Sequence, residues 1–107
     1  MKPIKGVKIK ERYYRNPLPT NVRHSPIKYQ AWGHGSTDKI DEVLIFKDPR
    51  LKKHHKLERA MMHHEETEIR LRSKGMSEPK AHKIAMSKEP KIIKGKSLKQ
   101  MWEMIKE

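Results

Sequence analysis

The segment "RAMMHHEETEIRLRSKGMSEPKAHKIA", residues 59–85, predicts the central feature of the fold, two helices joined by a glycine turn. The first helix is expected to begin near His55 and to end at Gly75, since glycine readily adopts the left-handed conformation that closes a helix. Ser77 then has the position of an N-cap for a second helix that reaches about Ser87. Because the connection is short, the two helices should form an antiparallel hairpin.

The apolar side of the first helix contains two ionisable residues. At ~100° per residue, one side collects Leu57, Ala60, Met61, Thr67 and Leu71. His64 and Glu68 lie one turn apart in the middle of that side, whereas His63 lies on the exposed side. A buried carboxylate without a partner is costly, so Glu68 must be protonated, ion-paired or bound to a metal.

A divalent ion is one partner that would satisfy both groups. An imidazole and a carboxylate at i and i+4 point the same way off a helix and can bind one ion. His82 is the candidate third ligand, because the hairpin can bring it beside Glu68. Glu65, next to His64, has the position of a general base that activates water. The alternative is a metal-free polar network among His64, Glu68 and His82 that fixes the register of the helices.

Two motifs in residues 43–68 carry a resemblance to a known family. "VLIF" followed by a helix with "HHEETE" resembles the strand and active-site helix of the zincin metallopeptidases, whose motif is His-Glu-x-x-His. The sequence departs from that motif at Glu68, which replaces the second histidine and gives His-Glu-x-x-Glu. The whole pattern, with Ala-His-x-x-Ala downstream, is also similar to small uncharacterised domains of phages and archaeal mobile elements.

The resemblance implies a minimal metal-dependent hydrolase that acts on peptides. His64, Glu68 and His82 would then hold one divalent ion, and Glu65 would be the catalytic base. Zinc is the metal that the resemblance implies first. A carboxylate ligand also suits iron or manganese, so these two metals remain alternatives.

The composition limits the chemistry and suggests partners. The chain has 107 residues, enough for one domain with one modest core. It has no cysteine, which excludes disulfides and thiolate ligands, so a metal would need His, Asp or Glu. The formal net charge of +13 favours binding to phosphate backbones or other acidic partners. Abundant Lys and Glu without Cys would also suit a heat-adapted organism.

The first thirty residues form a basic, proline-rich arm in this interpretation, and residues 31–107 form a single small domain. Val7 and Ile9 alternate with lysines and predict an edge strand. The arm either packs its tyrosines on the domain or binds nucleic acid, with cations on phosphates and rings on bases. The candidate nucleic-acid residues are Lys8, Lys10, Arg12, Tyr13, Tyr14, Arg15, Arg23 and Lys28.

The remaining segments complete an α+β fold. "IDEVLIF", residues 40–46, is the clearest strand, and Asp48 should cap the short helical turn that follows it. Residues 31–38 are expected to be a loop, and "KIIKGK", residues 91–96, a short strand. Ser97 should cap a C-terminal amphipathic helix, whose apolar stripe contains Leu98, Met101, Trp102 and Ile105. The expected architecture is a small sheet with the helical hairpin packed on it.

Three functions remain open on the sequence alone. The first is the metal-dependent hydrolase, whose substrate the sequence leaves open between a peptide and a phosphodiester. The second is a non-enzymatic DNA- or RNA-binding protein. The third is a viral or mobile-element component that forms oligomers through the C-terminal helix. No apolar run approaches the ~20 residues of a membrane span, and the start of the chain lacks a signal-peptide core. A cytoplasmic or virion-associated protein that does not bind membranes is therefore expected.

Overall fold

The computed structural model describes residues 3–19, 24–33 and 39–106, and these form the α+β fold expected from the sequence. The elements in chain order are strands β1 (Lys8–Tyr13), β2 (Ile27–Trp32) and β3 (Glu42–Lys47), a 3-10 helix (Pro49–Lys53), and helices α1 (His55–Arg72), α2 (Glu78–Ser87) and α3 (Leu98–Ile105). A three-stranded sheet, a helical hairpin and a C-terminal helix are all present.

The sheet has the strand order β1-β3-β2. β3 is central, as its apolar sequence favours, and pairs parallel with β1 and antiparallel with β2. The predicted edge strand is confirmed as β1. β2 was not predicted, although its burial alternates from Ile27 onward as in a strand with one covered face. The predicted boundary between the N-terminal arm and the domain, after residue 30, falls inside β2. β1 lies within the predicted arm, yet it is a strand of the same sheet.

One face of the sheet packs against α1. Val43 and Ile45 of β3 are buried there, as is Ile27 of β2. Lys47 shares this face, and its ammonium group lies 3.2 Å from Glu11 Oε1 and 3.4 Å from Glu58 Oε1. An ammonium group can be accommodated among apolar residues because it is paired with two carboxylates.

The turn between α1 and α2 forms at the predicted glycine. Gly75 has φ +96°, a region that residues with a side chain rarely adopt, and its N–H donates to Arg72 O at 3.0 Å. α2 then returns along α1 with Ala81 and Ala85 fully buried between the helices. Small side chains at these two positions allow the helix backbones to approach closely.

The C-terminal region closes the core from another side. Ser97 and Gln100 form a reciprocal capping box at the start of α3. Trp102 is 1% exposed and its Nε1–H donates to His24 O at 2.8 Å. The apolar stripe of α3 therefore packs into the core through Trp102 and Ile105.

The prediction of a strand at residues 91–96 is wrong. Residues 91–95 form consecutive turns, in which Ile93 and Lys94 both donate to Pro90 O at 3.0 Å. Gly95 has φ +77°, which a regular strand does not accommodate. Ile93 is nevertheless 1% exposed, because the turn places it in the core.

Among the described residues, no helix combines the length and apolarity that crossing a membrane requires.

Candidate metal centre

The hairpin brings together the three residues predicted as ligands. His64 Nε2 lies 3.5 Å from Glu68 Oε2, and His82 Nδ1 lies 3.1 Å from the same oxygen. One ligand atom from each residue falls within 4.8 Å of the other two. The predicted cluster is confirmed, and it could hold a metal ion.

Each ligand is placed by a local feature of the sequence. His64 and Glu68 are one turn apart on α1, so both project toward α2. His82 lies on α2 beside the buried Ala81, which positions it at the edge of the helix contact. The side chains of His64 and Glu68 are 11% and 6% exposed, whereas that of His82 is 53% exposed. The cluster is therefore closed toward the core and open on the side of His82.

The spacing of these atoms fits a divalent ion. Bonds of 2.0–2.1 Å in tetrahedral geometry place neighbouring ligand atoms about 3.3 Å apart. The distances from Glu68 Oε2 to His82 Nδ1 and to His64 Nε2, 3.1 and 3.5 Å, are close to this value, and the two histidine ligand atoms lie within 4.8 Å of each other. Two imidazole nitrogens and one carboxylate oxygen form a donor set that suits zinc, iron and manganese alike.

The same atoms also form a charged network among themselves. Burial raises the pKa of Glu68, but hydrogen bonds from His64, Tyr29 and His82 outweigh it and lower the pKa to about 2. Burial lowers the pKa of His64, but its hydrogen bond to Glu68 and the surrounding carboxylates outweigh it and raise that pKa. In the absence of a metal, the raised pKa of His64 and the lowered pKa of Glu68 favour an ion pair between the two side chains, as in the alternative interpretation.

Glu65 borders the cluster without belonging to it. Its side chain lines both clefts that meet at His64 and His82. Burial raises its pKa to about 8, the positive charge of His64 opposes this rise, and the carboxylates of Glu68 and Glu89 add to it. Glu65 is thus a carboxyl group in a desolvated setting, able to exchange a proton near neutral pH.

Three residues around the cluster were missed from the sequence. Tyr29 donates its hydroxyl hydrogen to Glu68 Oε1 at 2.5 Å, and Arg72 Nη1 donates to the Tyr29 hydroxyl oxygen at 3.0 Å. Glu89 Oε2 lies 2.9 Å from His64 Nδ1. The alternation in "IKYQAW" was a signal that could have placed Tyr29 on the inner face. Glu89 follows the end of α2 and has no comparable signal.

Two clefts open from the cluster, and their linings differ in polarity. One is polar and includes Lys28, Tyr29 and Arg72. The other is a mainly apolar groove between α1, α2 and α3. Its apolar lining consists of Met61, Met86, Ile93, Leu98 and Met101. His64, Glu65 and His82 border both clefts, so a molecule at the cluster could contact either surface.

The predicted nucleic-acid residues do not share one environment. Tyr13 donates its hydroxyl hydrogen to Glu58, and its ring lies 4.4 Å from Lys47 Nζ. The ring of Tyr14 stacks on Phe46 with a centroid distance of 5.4 Å. Both tyrosines are half-buried against the protein. The described cations of this group, Lys8, Lys10, Arg12, Arg15 and Lys28, are exposed, and Arg23 lies outside the described residues.

Comparisons of the chain with protein-family models, with curated proteins and with solved structures found no match. The functional interpretation therefore depends on the geometry of the site.

Proposed function

We propose that the protein is a metal-dependent hydrolase whose divalent ion is held by His64, Glu68 and His82. The observation that carries the proposal is the convergence of two imidazole nitrogens and one carboxylate oxygen within 4.8 Å of one another. A metal-free network would also bring these groups together, so the metal content of the protein distinguishes the two interpretations. A divalent ion bound there would supply Lewis acidity to the reaction.

Glu65 is the residue that we assign as general base. It follows His64 on α1 and borders both clefts, where it can take a proton from an attacking water. Its raised pKa shows that the anionic form is disfavoured by burial and by neighbouring carboxylates. A positive charge at the cluster would favour the carboxylate form, which is the form a base requires.

The apolar groove supports a peptide as the substrate. Methionine-rich surfaces can adapt to apolar side chains of different shapes. A peptide bound with an apolar side chain in this groove would have an adjacent amide bond near Glu65 and the cluster. This arrangement agrees with the substrate class that the zincin resemblance implies.

The first test is the metal content of protein purified without chelator or His-tag. We expect close to one equivalent of a transition metal, which His64→Ala and Glu68→Ala should lose. His63→Ala is a matched control, because His63 is the adjacent histidine and is exposed. Wild-type protein that is free of metal, and that takes up none on dialysis against zinc, iron or manganese salts, would favour the metal-free network.

The second test separates metal binding from catalysis. Glu65→Gln should retain the metal and lose hydrolysis of a peptide library by about 10²-fold or more, since it removes the base. Equal activity of Glu65→Gln and wild type would refute the assigned role of Glu65, even if the metal site is correct.

A further inference from the structure

The outer face of the sheet is a surface distinct from the metal centre. Cross-strand partners share one face of a sheet, so the register defines which side chains lie together. The inner face carries Ile27, Val43 and Ile45, which are buried against the helices. The outer face consists of three rows of partners, Lys8–Glu42–Trp32, Lys10–Leu44–Gln30 and Arg12–Phe46–Lys28.

This outer face is strongly cationic. Its four basic side chains are all exposed, and they are Lys8, Lys10, Arg12 and Lys28. Its acidic residue among the three rows is Glu42, whose Oε2 accepts a hydrogen bond from Trp32 Nε1 at 2.5 Å. The cations of β1 follow one another at every second residue, which spaces them about 6.6 Å apart along the strand. Such a row is suited to successive phosphates of an extended strand.

The same face presents an exposed aromatic ring. Trp32 is 43% exposed, which is unusual for so large an apolar residue. Its hydrogen bond to Glu42 fixes the indole while leaving ring surface accessible. The floor beside it is apolar, because Leu44 and Phe46 are half-buried and Tyr14 stacks on Phe46. Trp32 on β2 lies across β3 from the cations of β1, at about 10 Å from Lys8. A fixed ring and a row of cations on one sheet face are the combination by which proteins bind unpaired bases and their phosphates.

We infer that this outer sheet face binds single-stranded nucleic acid. Lys8, Lys10 and Arg12 contact the phosphates, and Trp32 stacks on a base. Double-stranded nucleic acid is a poorer fit, because stacking on Trp32 requires a base that is not already paired. The inference is independent of the proposed hydrolase, since none of these four residues belongs to the metal cluster.

The test measures binding of fluorescein-labelled dodecamers, oligo(dT) and oligo(U), by anisotropy at 50 mM and 200 mM salt. Wild-type protein should bind both at low salt and weaken steeply as salt rises. Tryptophan fluorescence should be quenched on binding, because a base stacks on Trp32. The change can be attributed to Trp32, since the other tryptophan, Trp102, is buried at 1% exposure. Trp32→Leu should lose the quenching and weaken binding by about tenfold.

Matched charge variants locate the surface. Lys10→Glu/Arg12→Glu should weaken binding at least tenfold. Lys94→Glu/Lys99→Glu makes the same change in net charge at exposed lysines outside the sheet, and it should weaken binding by less than threefold. Circular dichroism confirms that each variant is folded, and Lys10→Gln/Arg12→Gln replaces the first variant if it is not.

Several results would overturn the inference. Equal weakening by the two charge variants would mean that only net charge matters. Tighter binding of a duplex than of either dodecamer would exclude an unpaired base as the occupant. Binding to anionic phosphatidylserine vesicles without binding to either dodecamer would identify a lipid-binding surface instead.

A preference for oligo(U) or for oligo(dT) would support the inference and would identify RNA or DNA as the ligand.

Discussion

At the scale of single residues, the central question is what orients His64. Its two ring nitrogens lie near different carboxylates, since Nε2 is 3.5 Å from Glu68 Oε2 and Nδ1 is 2.9 Å from Glu89 Oε2. The Glu89 contact has the distance of an ion pair but not the alignment of a hydrogen bond. A metal-ligating histidine commonly directs its second nitrogen to a carboxylate, which fixes the tautomer and the ring orientation. Glu89 thus has the position of a residue that holds His64 with Nε2 toward the cluster.

We predict that Glu89→Ala lowers metal affinity by about 10-fold to 100-fold, because His64 loses the group that orients it. Glu89→Gln should lose a similar amount of affinity, since the contact with His64 is an ion pair and the amide removes its charge. Isothermal titration with zinc measures both variants. Glu103→Ala, at an exposed position of α3, is the control. Affinity of Glu89→Ala within twofold of wild type would exclude the positioning role.

Asp48 is the second residue with a specific, testable contribution. Its side chain is fully buried and accepts hydrogen bonds from Leu18 N–H, Arg50 N–H and the Arg50 guanidinium. Burial raises the pKa of Asp48, but these bonds outweigh it and lower the pKa below its usual value. The stabilisation is therefore complete above the unfolded-state pKa near 4 and is lost as pH falls through the folded-state pKa.

We predict that Asp48→Asn lowers the free energy of unfolding by about 2–3 kcal/mol at pH 7, since hydrogen bonds to an ionised group contribute about this much. The difference from wild type should be smaller at pH 3 than at pH 7, because pH 3 lies below the pKa of Asp48 in the unfolded chain, which is near 4. Urea unfolding at both pH values measures it. A difference that does not change between the two pH values would show that the charge of Asp48 is not the cause.

At the scale of elements, the α1–α2 hairpin creates the site. His64 and Glu68 are paired by helix geometry alone, but His82 joins them only because the turn at Gly75 directs α2 back along α1. Ala81 and Ala85 then set how closely the helices approach. The geometry of the third ligand is therefore a property of the turn and the helix contact.

We predict that Gly75→Ala destabilises the protein by about 1–2 kcal/mol, because a residue with a Cβ is strained at φ +96°. Space is not the cause, since a Cβ at this position would meet Lys39 Cγ at an ordinary 3.9 Å. Gly75→Asn should lose less, since Asn tolerates the left-handed region better. Thermal or urea unfolding compares the two variants. Equal stability of Gly75→Ala and wild type would mean that the turn relaxes to a different conformation.

At the scale of the whole molecule, the proposed metal site and the inferred nucleic-acid surface lie on different sides of one sheet. The inner face contacts the candidate metal cluster through Tyr29 on β2, which donates to Glu68. The outer face carries the exposed cations and Trp32. Part of the net charge of +13 is therefore concentrated on one face of the sheet.

We predict that metal binding stabilises the entire fold, because the ligands come from two elements that separate on unfolding. At a free metal concentration 100 times Kd, the gain is about 2.7 kcal/mol, and each kcal/mol raises Tm by about 4–8 °C in a domain of this size. Differential scanning fluorimetry with and without zinc measures the shift. His63→Ala should keep it and His64→Ala should lose it. The same shift in both variants would place the metal elsewhere.

Much of the helical structure could be predicted, because its signals are local. Gly75, Ser77 and Ser97 mark helix ends, and the structure has them at those ends. β2 and the turns at residues 91–95 could not be predicted as reliably. β2 is stabilised by pairing with β3, which lies elsewhere in the sequence. Ile92 and Ile93 have the apolar character of a short strand, and only the backbone hydrogen bonds to Pro90 O show that they lie in turns.

The sequence by itself determined the helical hairpin and the pairing of His64 with Glu68, because helical periodicity fixes which residues share a face. It also determined the cationic character of the chain. Only the tertiary structure decided that His82 reaches Glu68, that Tyr29 and Glu89 complete the surroundings, and that Trp32 shares a sheet face with the cations of β1. These contacts join residues from different elements, so they depend on the turn at Gly75, the helix packing and the strand register, which no local pattern specifies.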